Sequence, residues 1–90
     1  MSVDASADLK RRIKQLLVER LKLDRAPESI GDGEPLFGPD GLGLDSIDAL
    51  ELVLGLQKEF GVVIEDRALA VKVLASIDTI AEFVRSQGKE

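Results

Sequence analysis

Gly43-Leu44-Asp45-Ser46-Ile47 runs into Asp48-Ala49-Leu50-Glu51-Leu52-Val53-Leu54-Gly55-Leu56-Gln57-Lys58-Glu59-Phe60, a loop that turns into an amphipathic helix. Asp and Ser are favoured at such a start because a short side-chain oxygen accepts from the free N–H groups of the first turn. Either Asp45 or Ser46 can therefore cap this helix. Gly61 ends it. On a helix of 3.6 residues per turn, Leu52, Val53, Leu56 and Phe60 form one apolar stripe. Ile47, Leu50 and Leu54 form a second, displaced around the axis. One stripe can dock on other helices. The second is left partly exposed unless a loop covers it. Flanked by Asp48, Glu51 and Glu59, it has the character of a transient partner surface. Gly55 costs this helix about 1 kcal/mol relative to Ala. A flat spot that admits a partner backbone would explain it.

The flanking segments also read as helices. Leu9, Ile13, Leu16, Leu17 and Leu21 share one face, with basic residues opposite and Ser6 as N-cap. This first helix spans 6–23 and stops before Pro27, with residues 1–5 frayed. Residues 24–44, rich in Gly and Pro, form a connection long enough to need tethers, for which Ile30, Leu36, Phe37 and Leu42 are suited. Val62-Val63-Ile64 is a short apolar connector with no evident partner strand. Asp66 caps a short third helix, 66–74, despite the β-branched Val71 and Val73. Ser76 caps the last, 76–87, with Ile77, Ile80, Ala81 and Val84 inward and Gly88 beyond its end. The expected fold is all-α, a four-helix bundle with a long first loop and a short third helix, in one domain spanning 1–90. The start at Met1 suits a free-standing protein.

The 90 residues contain no His, Cys, Tyr or Trp. No Ser-His or Cys-His nucleophile pair can form, and neither can a zinc site of imidazole and thiolate ligands. No metal site is expected, and no paired carboxylates suggest an enzyme, so the chain reads as non-catalytic. Any thiol chemistry must come from an added group. The net charge is −5, unevenly spread. Residues 1–25 hold seven basic groups against four acidic ones, whereas 26–66 hold ten acidic groups and one base, Lys58. A negative field around Ser46 favours basic protein partners and disfavours nucleic acid. The basic N-terminal stretch reads as the solvated face of a helix. No apolar run approaches the roughly 18 residues of a membrane span, and no leader pattern precedes the first helix, so a cytoplasmic monomer is expected.

Residues 41–53, Gly-Leu-Gly-Leu-Asp-Ser-Ile-Asp-Ala-Leu-Glu-Leu-Val, followed by Glu59-Phe60-Gly61, resemble the acyl carrier proteins, and the resemblance extends over nearly the whole chain. It implies that Ser46 receives a 4'-phosphopantetheine arm from coenzyme A through a magnesium-dependent phosphopantetheinyl transferase, its hydroxyl attacking the β-phosphate. Free N–H groups and the macrodipole at the helix start would favour that phosphate. The arm's thiol would hold acyl groups as thioesters for acyl-transfer, ketosynthase and reductase type enzymes of fatty-acid, polyketide or related lipid synthesis. Asp45 matches the aspartate that helps the transferase recognise the serine. Ile47, Asp48, Leu50, Glu51 and Leu54 match the partner-facing positions. Leu56, Phe60, Ile64 and the third helix would line the acyl cavity.

The chain departs from the common pattern at Gln57 and Lys58, late in the second helix, and at Arg67 and Lys72 in the third. Ile64-Glu65-Asp66-Arg67 stands where Ile-Pro-Asp-Glu is common. Less negative charge weakens docking on basic patches. A specialised carrier is therefore expected, rather than the housekeeping carrier of fatty-acid synthesis. Peptidyl carriers typically have Gly-Gly before the residue preceding serine, which Gly43-Leu44-Asp45-Ser46 lacks. A D-alanyl carrier stays open as an aminoacyl alternative. A third alternative is an unmodified helical interaction module with Ser46 only as a cap.

Overall fold

Four α-helices make up the regular structure of residues 5–37, 41 and 43–87, which a computed structural model describes, with side chains from residue 7 onward. They are α1 (Ala5–Leu21), α2 (Ser46–Phe60), α3 (Arg67–Val73) and α4 (Ile77–Ser86), with a 3₁₀ turn, Pro27–Ser29, in the first connection. The all-α expectation, with its long first loop and short third helix, holds. Leu9, Ile13 and Leu17 recur every four residues and are buried. That spacing gives α1 one apolar face, which packs against both α2 and α4. Leu52 and Leu56 of α2, with Ile77, Ile80 and Val84 of α4, complete the core.

α1 stops at Leu21, two residues short of the expected end. Lys22 adopts a left-handed φ of 53°, and the Leu23 N–H donates to the Val18 carbonyl at 3.0 Å. This reversal satisfies an orphan carbonyl and turns Leu23 back against the core. Ala5, expected to fray, is already helical, so Ser6 lies inside α1 rather than capping it. Residues 1–4, the side chain of Ser6, Leu42 and Gly88 lie outside the described set.

Three of the expected tethers hold the first loop. Ile30 and Leu36 are buried and Phe37 is half-buried. Leu36 joins two parts of the chain through its backbone. Its N–H donates to the Ala75 carbonyl at 3.1 Å, and its carbonyl accepts from Leu44 N–H at 3.3 Å. Phe37 and Leu44 form an isolated bridge, with no other strand-like pairing among the described residues. The loop just before Ser46 is thereby fastened to the turn between α3 and α4.

Ion pairs fasten the same loop to α1. Lys14 Nζ lies 2.6 Å from Asp32, and Lys10 Nζ lies 2.7 Å from Asp78 and 3.5 Å from Asp32. Within the loop itself, Arg25 reaches Glu34 at 3.1 Å. The basic face of α1 is thus not simply solvated, because much of it pairs with acids from later in the chain. The Lys14 ammonium holds the Asp32 carboxyl below its ordinary range, and Arg25, with the Gly31 N–H, does the same for Glu34. The Asp78 carboxylate raises the Lys10 ammonium. A lowered carboxyl binds fewer protons folded than unfolded. The stability from Asp32 and Glu34 is therefore present above about pH 4 and lost as pH falls through their lowered values. The contribution of Lys10 has the opposite sense, and is lost only as pH rises past its raised value. Urea unfolding across the acid range should show Asp32→Asn with a flatter loss of stability than the parent.

The later elements follow from their caps. Gly61 takes a left-handed φ of 71°, open to glycine at no steric cost, and its N–H donates to the Gln57 carbonyl at 2.9 Å. Val62-Val63-Ile64 then runs without forming a strand, with Val62 buried and Val63 exposed. Asp66 Oδ1 accepts from Leu69 N–H at 2.7 Å and starts α3 despite its β-branched residues. Ser76 and Thr79 form a reciprocal capping box at the start of α4. α3 packs on α4, and a cleft separates it from α2.

Candidate functional site

Asp45, not Ser46, caps α2. Asp45 Oδ1 accepts from both the Ile47 and Asp48 N–H groups at 3.1 Å. In return Asp48 Oδ2 accepts from the Asp45 N–H at 3.0 Å, closing a capping box. Ser46 is the first helical residue and is exposed. Its hydroxyl accepts from none of the first-turn amides. The segment is presented by Gly43, whose φ of 74° turns the chain, and by Leu44, which is buried just before Asp45.

A cleft of about 1050 Å³ lies beside Ser46, between α2 and α3. Phe37, Leu44, Ala49, Leu50, Val53, Ile64, Ala70, Val71 and Leu74 supply its apolar lining. Asp45, Ser46, Glu65, Asp66 and Arg67 stand among its polar residues. The second stripe of α2 is not covered by the loop. Ile47 is 73 % exposed, Leu50 60 % and Leu54 43 %, and Val71 on α3 is 68 % exposed.

A hydroxyl displayed at the start of a helix, beside an apolar cleft, is an arrangement suited to carrying a covalent arm. The family described as "Phosphopantetheine attachment site" matches residues 11–85. An acyl carrier protein of Rhodopseudomonas palustris (strain BisB18) is 31 % identical over 83 residues, 92 % of this chain and 98 % of that protein. One from Sinorhizobium fredii (strain NBRC 101917 / NGR234) is 33 % identical over 81 residues, 90 % of this chain and 97 % of the relative. The chain belongs to the acyl carrier protein family.

The prosthetic group of this carrier is 4'-phosphopantetheine. The residues present fit it, with an exposed serine hydroxyl free of capping duty and an apolar cleft opening next to it. One expectation needs correction. The first-turn N–H groups were expected to favour the phosphate, but those of Ile47 and Asp48 already donate to Asp45. Two carboxylates therefore occupy the positive end of the α2 macrodipole, leaving the Ser46 amide as the remaining donor of that turn.

The other candidates fall in different places. Ile64, Ala70 and Val71 line the cleft, whereas Leu56 and Phe60 sit in the closed core and do not reach it. Phe60 instead underlies the Arg12 guanidinium, 4.9 Å from the ring centroid. Glu51 is exposed but pairs with Arg20 at 3.4 Å, and Glu59 pairs with Arg12 at 3.3 Å. The adjacent apolar pair Leu36-Phe37, in a loop otherwise rich in Gly and Pro, was a usable signal for Phe37 in the cleft. Pro35 and Ala75 reach it through the fold alone.

Gly55 is not a landing spot for a partner. It is buried beneath the side chain of Arg20. A Cβ there would lie 3.1 Å from Arg20 Nε and 3.2 Å from its Cγ. The Arg20 side chain is partly exposed and can swing aside. Gly55→Ala should therefore keep most of its helix-propensity gain and raise stability by up to about 1 kcal/mol in urea unfolding. The Arg20–Glu51 pair should open at the same time.

Proposed function

We propose that Ser46 carries the 4'-phosphopantetheine arm and that the chain presents acyl groups to separate enzymes of lipid or polyketide synthesis, catalysing nothing itself. The observation that carries this is the division of labour between neighbours. Asp45 caps α2, so the Ser46 hydroxyl is exposed with no structural duty. The arm supplies the thiol that the sequence lacks and holds cargo as a thioester. Each carboxylate beside Ser46 is held through one oxygen by backbone amides of the first turn, and the chain has no imidazole, so the removal of the hydroxyl proton is assigned to the transferase. Asp45 acts by holding the first turn in place for that enzyme.

The apolar lining of the cleft favours an acyl over an aminoacyl cargo. Each methylene removed from water is worth about 0.8 kcal/mol, whereas a charged amino group gains nothing from such walls. Ile47, Leu50 and Leu54, bordered by Asp48 and Glu51, form the surface that meets partner enzymes. The positive charges at Lys58, Arg67 and Lys72 support a specialised carrier serving a dedicated pathway.

Intact mass after incubation with coenzyme A, magnesium and a broad-specificity phosphopantetheinyl transferase tests the reading. One added phosphopantetheinyl group is expected. No gain on the folded protein would favour an unmodified interaction module. Shifts in the methyl signals of Val53 and Ile64 on acylation would support cargo in the cleft, and unchanged signals would overturn that part.

A further inference from the structure

We propose that Arg67 pairs with the phosphate of the prosthetic arm once the arm stands on Ser46, and so fastens the root of the arm across the mouth of the cleft. The inference rests on the carrier reading above and adds a second residue to the attachment site. Ser46 at the start of α2 and Arg67 at the start of α3 line the same cleft. Among its described lining residues Asp45, Glu65 and Asp66 are acids, and Arg67 is the only base. The bases of α1 that reach other elements are engaged within the molecule, since Lys10, Lys14, Arg12 and Arg20 each pair with an acid. Arg67 is exposed, and its guanidinium makes no ion pair or hydrogen bond with another described residue.

A phosphodiester is an anion at neutral pH, and the start of α2 is poorly prepared for one. The Ile47 and Asp48 amides donate to Asp45, and the Asp45 and Asp48 carboxylates already stand at the positive end of the helix. A phosphate on Ser46 therefore joins two negative charges and finds few free donors on its own helix. A cation on the other wall of the cleft is what the site can set against that repulsion. A guanidinium suits the task, because its planar fork donates two parallel N–H bonds to phosphate oxygens from the end of a long stem. α3 packs on α4, so the pair adds a link between two walls that the cleft separates. The common pattern has an acid at this position, so the contact belongs to this chain rather than to carriers in general.

The test compares the full chain before and after loading with the arm, its thiol reduced and no acyl group attached, with loading checked by intact mass. The phosphate is then the only anion that loading adds. In two-dimensional NMR at slightly acid pH, the Nε–Hε signal of Arg67 should move on loading more than those of Arg12, Arg20 and Arg25, which have partners of their own. The shift should shrink in about 500 mM NaCl, as for any exposed ion pair. In urea, loading should favour the folded state at least about threefold more in the parent than in Arg67→Gln. Any effect of the substitution on α3 itself cancels from that comparison. An Arg67 signal that moves no further than the others, or a factor below threefold, overturns the inference and leaves Arg67 to meet a partner enzyme. A parent that takes up no arm overturns the carrier reading as well, so the two failures are distinguishable.

Discussion

Ser46→Ala is expected to take up no phosphopantetheinyl group while unfolding within about 0.5 kcal/mol of the parent, the range of an ordinary surface substitution. Asp45→Ala is expected to behave in the opposite way. It removes the oxygen that accepts from the Ile47 and Asp48 amides, and loss of such a cap costs about 0.5–2 kcal/mol. Two first-turn donors are orphaned, and Asp48 loses the geometry that closes the box. The hydroxyl of Ser46 survives, so loading should be slowed rather than abolished. Intact mass and urea unfolding of the two variants separate the roles. If Ser46→Ala lost as much stability as Asp45→Ala, the serine would be acting as a cap, and its exposure would carry no functional meaning.

Leu36→Ala should be the more damaging change to the scaffold. Leu36 is fully buried although it belongs to a loop, and deleting a buried leucine to alanine typically costs about 2–5 kcal/mol. The damage should reach the site. Leu36 accepts from the Leu44 N–H and donates to the Ala75 carbonyl, so it links the segment before Ser46 to the junction of α3 and α4. A lower urea midpoint with an unchanged slope is expected. Amide exchange at Leu44 should accelerate more than exchange in the middle of α1. Uniform acceleration across the chain would mean that Leu36 stabilises the core without fastening the loop.

Much of the helical frame was legible along the chain, because each helix carries its own signals. Apolar spacing placed Leu9, Ile13 and Leu17 on one face, and Asp66 and Ser76 announced the starts of α3 and α4. The end of α1 was misplaced, because a lysine in the left-handed region carries no mark of that conformation in the sequence. The candidate site was half legible. The neighbours Asp45 and Ser46 could each have capped α2, since both side chains can accept from first-turn amides. Only their positions decided which did. Leu56 and Phe60 share the apolar character of Ile64, yet the cleft takes Ile64 and leaves the other two in the core.

By itself the sequence determined the local chemistry: helix spacing, caps, the absence of imidazole and thiol, and a serine displayed where a helix begins. Those properties depend on a residue and its near neighbours. The tertiary structure alone decided what the charges do and where the cleft opens. Lys10, Lys14 and Arg20 are basic residues of α1, and their acidic partners come from the loop, α2 and α4. Gly55 became a seat for Arg20 only when α1 crossed α2. Pairings between residues tens of positions apart follow from how helices pack, and packing depends on the sum of many contacts that no single segment encodes.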